Sequence, residues 1–493
     1  MNKQPYYLSI ILLLFLAASS CKKTLDINED PNNSTRASVD LVLPSAQVYT
    51  AYNLGSPYQV LGGIWGQYWT QGPTANQYNA YEQYVLTSST FNRQWESMYS
   101  GPLADFKYIH DEGVSIGREN YAAIGKIMQA YIFQYMTDLH GDIPFSEALD
   151  PANPTPKFDA QEEVYNGLIR LVDEGLALIN EASEDHPGAD DLIYGGNMNQ
   201  WRRFANTLKL RIYLRQAYVR PSVAEAGIKA MYAANAPFLQ TGGDAFIQFT
   251  TETFNQHPLY RTNEALTSDN ILASNTSIEF LESTADPRME IFYQPATKAP
   301  NTGKFAGIDQ GEGKNLTGTL DAGMWSKPGP DVGGPEAGGG DAAVVLMSAA
   351  ESYLLQAEAV ARGWATGDAK TLYENAVKAS FEYWGLSAAE ATTYLSGSAV
   401  AYPTAGSLEQ KIDAIITQKW VSMNGTQNLE AWTEWRRTGY PDIFQVSGTS
   451  NIGNVFPVRI LYPDSEISRN PNTPAQKSVT DKVWWDVNTT GQN

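Results

Sequence analysis

Apolar side chains that return every three or four residues dominate this chain, and that spacing restricts it to a mainly helical fold. From Tyr121 onward, Ile124, Ile127, Met128, Tyr131, Ile132, Tyr135 and Met136 share one helical face. A second helix is expected after Asp159, with Asp159 as N-cap and Glu162 three residues on, followed by Val164, Leu168, Leu171 and Leu176. Residues 201–219 predict a third, stopped before Pro221, and 348–362, 370–384, 408–423 and 429–437 predict four more. Gly363 and Gly385 stand where C-terminal stops are expected.

Several of these helices are spaced as pairs of a tetratricopeptide repeat. Tyr353, Ala357, Ala369, Tyr373 and Ala376 follow its large-small-small-large-small pattern, in which small residues let two helices approach. Tyr121 and Gly125 with Tyr165 and Leu168 look like the same unit with a longer connection. The expected fold is therefore mostly α, a helical-repeat scaffold with long irregular loops and short β segments. Residues 59–99 and 295–341 break the periodicity. The second holds 12 Gly and 5 Pro in 47 residues, a density expected of a functional loop. From Gly439 the chain turns rich in Pro, Asn and Ser, with extended runs such as 455–461. One large domain over 37–493 accommodates these excursions.

The N-terminus reads differently. Lys3, an apolar run at 8–18 and the small pair Ser19-Ser20 have the order of a secretory signal over 1–20. The 11-residue run is too short for the about 20 residues that span a bilayer. Cys21, the only cysteine, would become the first residue after cleavage, where a bacterial lipobox places the thiol that receives diacylglycerol. The new amino group would take a third acyl chain such as palmitate. Residues 21–36 then form a lipidated polar tether reaching at most about 50 Å when extended.

Composition excludes several classes. With 34 Lys+Arg against 54 Asp+Glu the net charge is −20, which disfavours nucleic acid. Removing residues 1–20 takes away one Lys and no acid, leaving −21. A lone cysteine forms neither an internal disulfide nor a multi-thiolate zinc or iron–sulfur site. His110, His140, His186 and His257 lie in no metal or triad motif, and no local pattern singles out a glycosidase carboxylate pair. The glycines of 329–340 lack the Lys-Ser/Thr of a phosphate loop. Asp309 and Glu312 approach a calcium pair without EF-hand spacing, so no cofactor is expected.

Binding has a stronger signature. Nine aromatics fall within residues 65–99, where the chain's 12% average gives about four. They are interleaved with Gln67, Gln71, Asn76, Gln77 and Asn79. Rings stack on the C–H faces of sugars and amides pair with hydroxyls, so such a platform suits carbohydrate, or an extended peptide. Trp65, Tyr68, Trp69, Gln71, Asn76 and Tyr78 are the candidates here, whereas Trp95 and Tyr99 read as core. Trp325, alone in the Gly/Pro-rich loop, joins them, with Asn255, Arg288 and Tyr293 from adjoining loops.

Taken in order, the motifs resemble the SusD/RagB-like outer-membrane lipoproteins. The carriers are the lipobox with Leu25-Asp26-Ile27-Asn28-Glu29-Asp30-Pro31-Asn32, then Asp138-Leu139-His140-Gly141-Asp142-Ile143-Pro144-Phe145, Trp201-Arg202-Arg203-Phe204-Ala205-Asn206-Thr207-Leu208 and Ala285-Asp286-Pro287-Arg288. Ser352-Tyr353-Leu354-Leu355-Gln356-Ala357-Glu358-Ala359, Glu430-Ala431-Trp432 with Trp435-Arg436-Arg437-Thr438-Gly439-Tyr440-Pro441, and Arg459-Ile460-Leu461-Tyr462-Pro463-Asp464 complete the set. The resemblance implies a non-catalytic, lipid-anchored outer-membrane protein. It would hold an oligosaccharide, or in some relatives a peptide, over a SusC-like TonB-dependent transporter. It also implies that Arg436 and Arg437 neutralise buried acids and that Gly141-Asp142 redirects the chain, but it transfers no ligand residue one by one. Lys22-Lys23 depart from an acidic surface-export signal. An adaptor that binds only the transporter protein, or a surface glycosidase, are the alternative functions.

Overall fold

A computed structural model describes residues 36–487. The signal segment, Cys21 and the tether up to residue 35 lie outside the described residues.

Ten helices of eleven residues or more make up the scaffold among the described residues. They are α1 (Val39–Asn53), α2 (Ala104–Ile116), α3 (Glu119–His140), α4 (Gln161–Leu178), α5 (Met198–Arg215), α6 (Pro221–Ala233), α7 (Ala349–Ala361), α8 (Ala369–Tyr383), α9 (Leu408–Met423) and α10 (Asn428–Thr438). None is long and apolar enough to cross a membrane. Strands are short and pair in three antiparallel two-stranded sheets: β1 (Trp69–Gln71) with β5 (Ile271–Ala273), β2 (Ile143–Pro144) with β3 (Phe158–Asp159), and β4 (Ala245–Gln248) with β6 (Ala343–Met347).

Both expected helix pairs form. In α7–α8, Ala357, Tyr373 and Ala376 are buried together with Leu354, Val377 and Phe381, and Ile412, Ile415 and Ile416 of α9 close the cluster. Gly363 and Gly385 end the two helices at φ 74° and 72°, where a side chain would be strained. In α3–α4, Tyr121, Tyr165 and Leu168 are all buried. Gly125, however, makes its close approach to α2: a Cβ there would stand 2.6 Å from the Phe106 carbonyl oxygen.

The start of α4 differs from expectation. Its N-cap is Ala160, and Asp159 lies in β3. The Asp159 carboxylate accepts from the backbone N–H groups of Phe145 (3.2 Å) and Ser146 (2.7 Å) across the β2–β3 ladder. Asp142 takes the capping role, its Oδ1 accepting from Gln161 N at 2.8 Å. Gly141, at φ 85°, makes the turn that brings it there. Residues 59–99 are also more helical than their Gly and Pro suggest, with helices at Gln59–Trp65, Asn79–Glu82 and Asn92–Met98. Packing of Gln59–Trp65 on α10 overrides the weak propensity of Gly62-Gly63. Residues 295–341 stay irregular, with four short 3-10 turns, and 455–461 are extended without a strand.

A buried charge network ties five helices together. Arg215 (α5) contacts Glu430 (2.5 Å) and Glu434 of α10 and Asp138 of α3 (3.3 Å). Arg437 (α10) grips Glu358 (α7) with two bonds of 2.7 and 2.8 Å and Glu434 at 2.7 Å. Lys419 (α9) sits 3.3–3.5 Å from Glu351, Glu430 and Glu434, and Arg211 lies 3.5 Å from Glu351. Arg437 thus neutralises buried acids as expected. Arg436 donates to the carbonyl oxygens of Asp138 (2.7 Å) and Val458 (2.9 Å) and stacks on Trp432 at 3.8 Å. Burial pulls its guanidinium down to about 10, against the field of Asp138 and Asp486.

Candidate ligand-binding site

Most of the aromatic residues expected to face a ligand are core. Trp65 packs on Trp432 (centroids 4.9 Å) and donates its indole N–H to the Tyr81 carbonyl at 3.0 Å. Tyr68 stacks on Trp420 at 5.1 Å and donates its hydroxyl to the Trp420 carbonyl. Trp69 and Tyr293 are buried, and Tyr78 is 8% exposed. The Tyr293 hydroxyl lies 2.9 Å from the Tyr68 carbonyl and accepts from Asn424 at 3.1 Å. Arg288 is wholly buried in a fork with Asp286, at 2.9 Å through Nε and 2.6 Å through Nη2, and stacks on Phe381. None of these side chains presents a face to solvent in this structure. The rings that cover Trp65 and Tyr68, those of Trp432 and Trp420, arrive from more than 300 residues away, which local composition does not encode.

The same aromatic segment supplies one wall of a polar cleft through residues 73–77. Antiparallel pairing of Gln71 with Ile271 at the end of β1 and β5 lays the loop 72–77 beside 266–270. A cleft of about 420 Å³ opens between them, with Lys314 on its third side. Its lining is rich in hydrogen-bonding groups: Thr74, Asn76, Gln77, Thr267, Asn270 and Lys314. Asn270 is the keystone, its Oδ1 accepting from Gln77 N (3.1 Å) and Gln71 Nε2 (3.3 Å). Gln71, buried, holds Tyr78 N on its Oε1 at 2.6 Å, so both position the loop. The exposed Lys314 donates to the Ala75 carbonyl at 3.1 Å. Asn76 and Gln77 are exposed and available.

Of the expected site residues, the structure brings Asn76 to this cleft and places Gln71 and Tyr78 beneath it. Trp325 is half-buried on Leu272 of β5, with Ile308 and Ala322, and does not line the cleft. Asn255 is exposed on a separate loop and does not line the cleft. Thr267, Asn270 and Lys314 were not singled out in the sequence. The run Thr267-Ser268-Asp269-Asn270 is a polar turn signal, but nothing local ties it to Gln77, 193 residues away.

Beneath the cleft Glu82 is a buried acid that accepts from Gln71 N (2.8 Å) and Gln310 Nε2 (2.9 Å). Burial raises its carboxyl to about 7, with those donors opposing. The folded value lies above the about 4.3 of an unfolded glutamate, so its contribution is fully present below pH 4.3 and lost as pH rises towards 7. Glu82→Gln should therefore remove part of the pH dependence: urea midpoints of parent and variant should diverge between pH 5 and 7.5, the parent falling. Parallel curves would show that Glu82 does not titrate there.

His140 and His257 are pulled down to about 3, chiefly by burial, and are neutral near pH 7. Asp309 accepts from Asn275 (2.6 Å) and Glu312 from Asn315 (2.8 Å). No group of three or more His, Cys, Asp or Glu side chains that could hold a metal comes together among the described residues.

Comparison with known proteins agrees with the helical architecture. A SusD-like family model, described as starch-binding and associating with the outer membrane, matches residues 31–463. A solved chitin-binding protein superposes with a TM-score of 0.77 at 26% identity, covering 92% of this chain and 100% of its own. A chitin-binding SusD homologue from Flavobacterium johnsoniae gives 0.76 at 24% identity over 92% and 99% of the two chains. A SusD homologue from Bacteroides uniformis gives 0.75 at 24% over 91% and 99%. No curated protein sequence matches.

Proposed function

This chain belongs to the SusD-like family, and from that premise we propose that it is a non-catalytic lipoprotein that binds a neutral oligosaccharide in the cleft of Asn76, Gln77 and Lys314. Cys21 carries the lipid, the outer membrane is its location, and a SusC-like TonB-dependent transporter receives the ligand. The match of residues 31–463 to a starch-binding family carries this reading. The cleft supports it chemically. Amides, hydroxyls and one ammonium offer donors and acceptors to sugar hydroxyls. An acidic chain at −20 also suits a ligand without negative charge.

Calorimetry with α-1,4-glucan and N-acetylglucosamine oligomers tests the proposal. The triple variant Asn76→Ala/Gln77→Ala/Lys314→Ala should bind at least about tenfold more weakly than the parent, since each net hydrogen bond contributes about 0.5–1.5 kcal/mol. The affected side chains are exposed, so the melting temperature should hardly move. Unchanged affinity would remove the cleft from consideration, and affinity for peptides alone would redirect the ligand class. Release of reducing sugar by the parent would contradict a purely binding role. Extraction of the transporter with the lipoprotein in mild detergent checks the partner.

A further inference from the structure

A second groove lies away from the cleft described above, between α1 and the helix Asn92–Met98, and encloses about 480 Å³. That size falls within the about 300–1,000 Å³ of small-ligand sites. Tyr49 and Tyr52 of α1 line it and are 52% and 50% exposed. Three residues apart on a helix, they project to the same side. Exposed tyrosine rings are uncommon in this chain, which buries most of its aromatic residues.

The opposite wall is polar. Among the described residues the Arg93 side chain makes no ion pair or hydrogen bond, although the chain carries an excess of acids. Gln94 Oε1 is shut away from solvent and accepts no hydrogen bond. An acceptor without a donor is unfavourable, so a turn of the half-buried Gln94 side chain that brings Oε1 to a ligand hydroxyl would be favoured. Asn53 is held in place by Nδ2 bonds to the Tyr49 carbonyl (2.9 Å) and Ser97 Oγ (3.1 Å). Thr262 closes the end, its hydroxyl 2.6 Å from that of Ser56.

We propose that this groove is a second saccharide-binding site, Tyr49 and Tyr52 stacking on sugar rings while Arg93 and Gln94 bond their hydroxyls; it rests on the reading of the chain as a saccharide binder. Rings beside unpartnered polar groups match the two faces of a neutral sugar, which offers C–H surface on one side and hydroxyls around its edge. A phosphorylated or acidic ligand would find only Arg93. The helix Pro258–Ala265 supplies Thr262 to this groove, and the residues directly after it, Leu266 and Thr267, line the amide cleft. The two sites therefore border one short helix, and an oligomer held at both would gain from the second contact being intramolecular.

The test compares the parent, Tyr49→Ala/Tyr52→Ala, Tyr49→Phe/Tyr52→Phe and the cleft triple variant. Each is titrated with hexamers of N-acetylglucosamine and of α-1,4-glucose and pulled down on insoluble chitin and starch. The alanine pair should lose about tenfold in hexamer affinity with its thermal melt unchanged, and the phenylalanine pair, which keeps the rings, should bind within about threefold of the parent. If the alanine pair binds like the parent while the cleft variant is weakened, the groove is not a saccharide site and the cleft stands alone. Should neither change, or should the parent bind none of these probes, both readings fall. If the alanine pair keeps its sugar affinity but no longer co-purifies with a β-barrel partner, the groove is a protein contact and this inference is overturned.

Discussion

Replacing Glu434 by alanine should cost the fold about 3–5 kcal/mol, the loss expected when one partner of a buried ion pair is removed. Glu434 is shared by Arg437, Arg215 and Lys419, and every one of these side chains is at most 3% exposed. Alanine leaves three buried cations with too few acids, and water cannot reach them. Glu434→Gln keeps the shape but not the charge and should remain clearly destabilised. Glu225→Ala, which breaks the exposed pair with Lys229, should cost less than about 1 kcal/mol. Urea unfolding of the three variants checks the order, and a Glu434→Ala loss no larger than that of Glu225→Ala would show that the network adds nothing. Acid should erode the same term. Burial pushes the Glu434 carboxyl up, but Arg437, Lys419 and Arg215 outweigh it and hold it well below the ordinary range. Glu430 and Glu358 are likewise lowered by their cations against burial. Their contribution is complete above the unfolded value of about 4.3 and disappears as pH falls through the folded ones. Asp138 runs the other way, raised chiefly by burial against Arg215, and softens the acid limb. The gap between parent and Glu434→Ala should accordingly narrow at low pH.

This network was only partly visible in the sequence. The run Trp435-Arg436-Arg437 signals buried cations, because arginines packed beside tryptophans need partners, but Arg437 takes Glu358 from α7 and only Glu434 from its own helix. The helices themselves were legible, since a periodic apolar stripe is a local property that tertiary packing reinforces. Asp159 shows where a local rule loses. Its spacing to Glu162 fits a capping box, yet a carboxylate that can reach two N–H groups of a neighbouring strand satisfies more donors there, and Asp142 is left to cap α4. The aromatic segment shows a different limit. An excess of rings and amides is equally the composition of a platform and of a core edge, and only the arrival of Trp420 and Trp432 decides which. Arg288 illustrates the same point in miniature: an Asp two residues before an Arg is already spaced for the fork that buries it. The cleft lies where three distant segments meet, and the turn signal around its keystone Asn270 says nothing of the distant Gln77 that it holds.

Exchange of Cys21 for serine should have the largest effect of any single change, moving the protein from the membrane to the soluble fraction. Each buried methylene of an acyl chain contributes about 0.8 kcal/mol, so one chain binds marginally and reversibly while several hold firmly. A serine hydroxyl does not form the thioether to diacylglycerol, and without it the amino group is not prepared for its further chain. No helix among the described residues is long and apolar enough to cross a membrane, so the described domain offers no helical span in place of the acyl chains. Membrane fractionation and intact mass measure this directly: the parent should sediment with membranes and carry the added lipid mass, and Cys21→Ser should do neither. Cys21 is the only cysteine, so a parent acylated there should carry no thiol that reacts with a maleimide. A variant that stays in the membrane pellet, or a parent that labels, would show that the anchor lies elsewhere. The saccharide affinity of the released protein should match that of the parent, since the cleft is built from residues 71–82, 266–270 and 314 and owes nothing to the lipid.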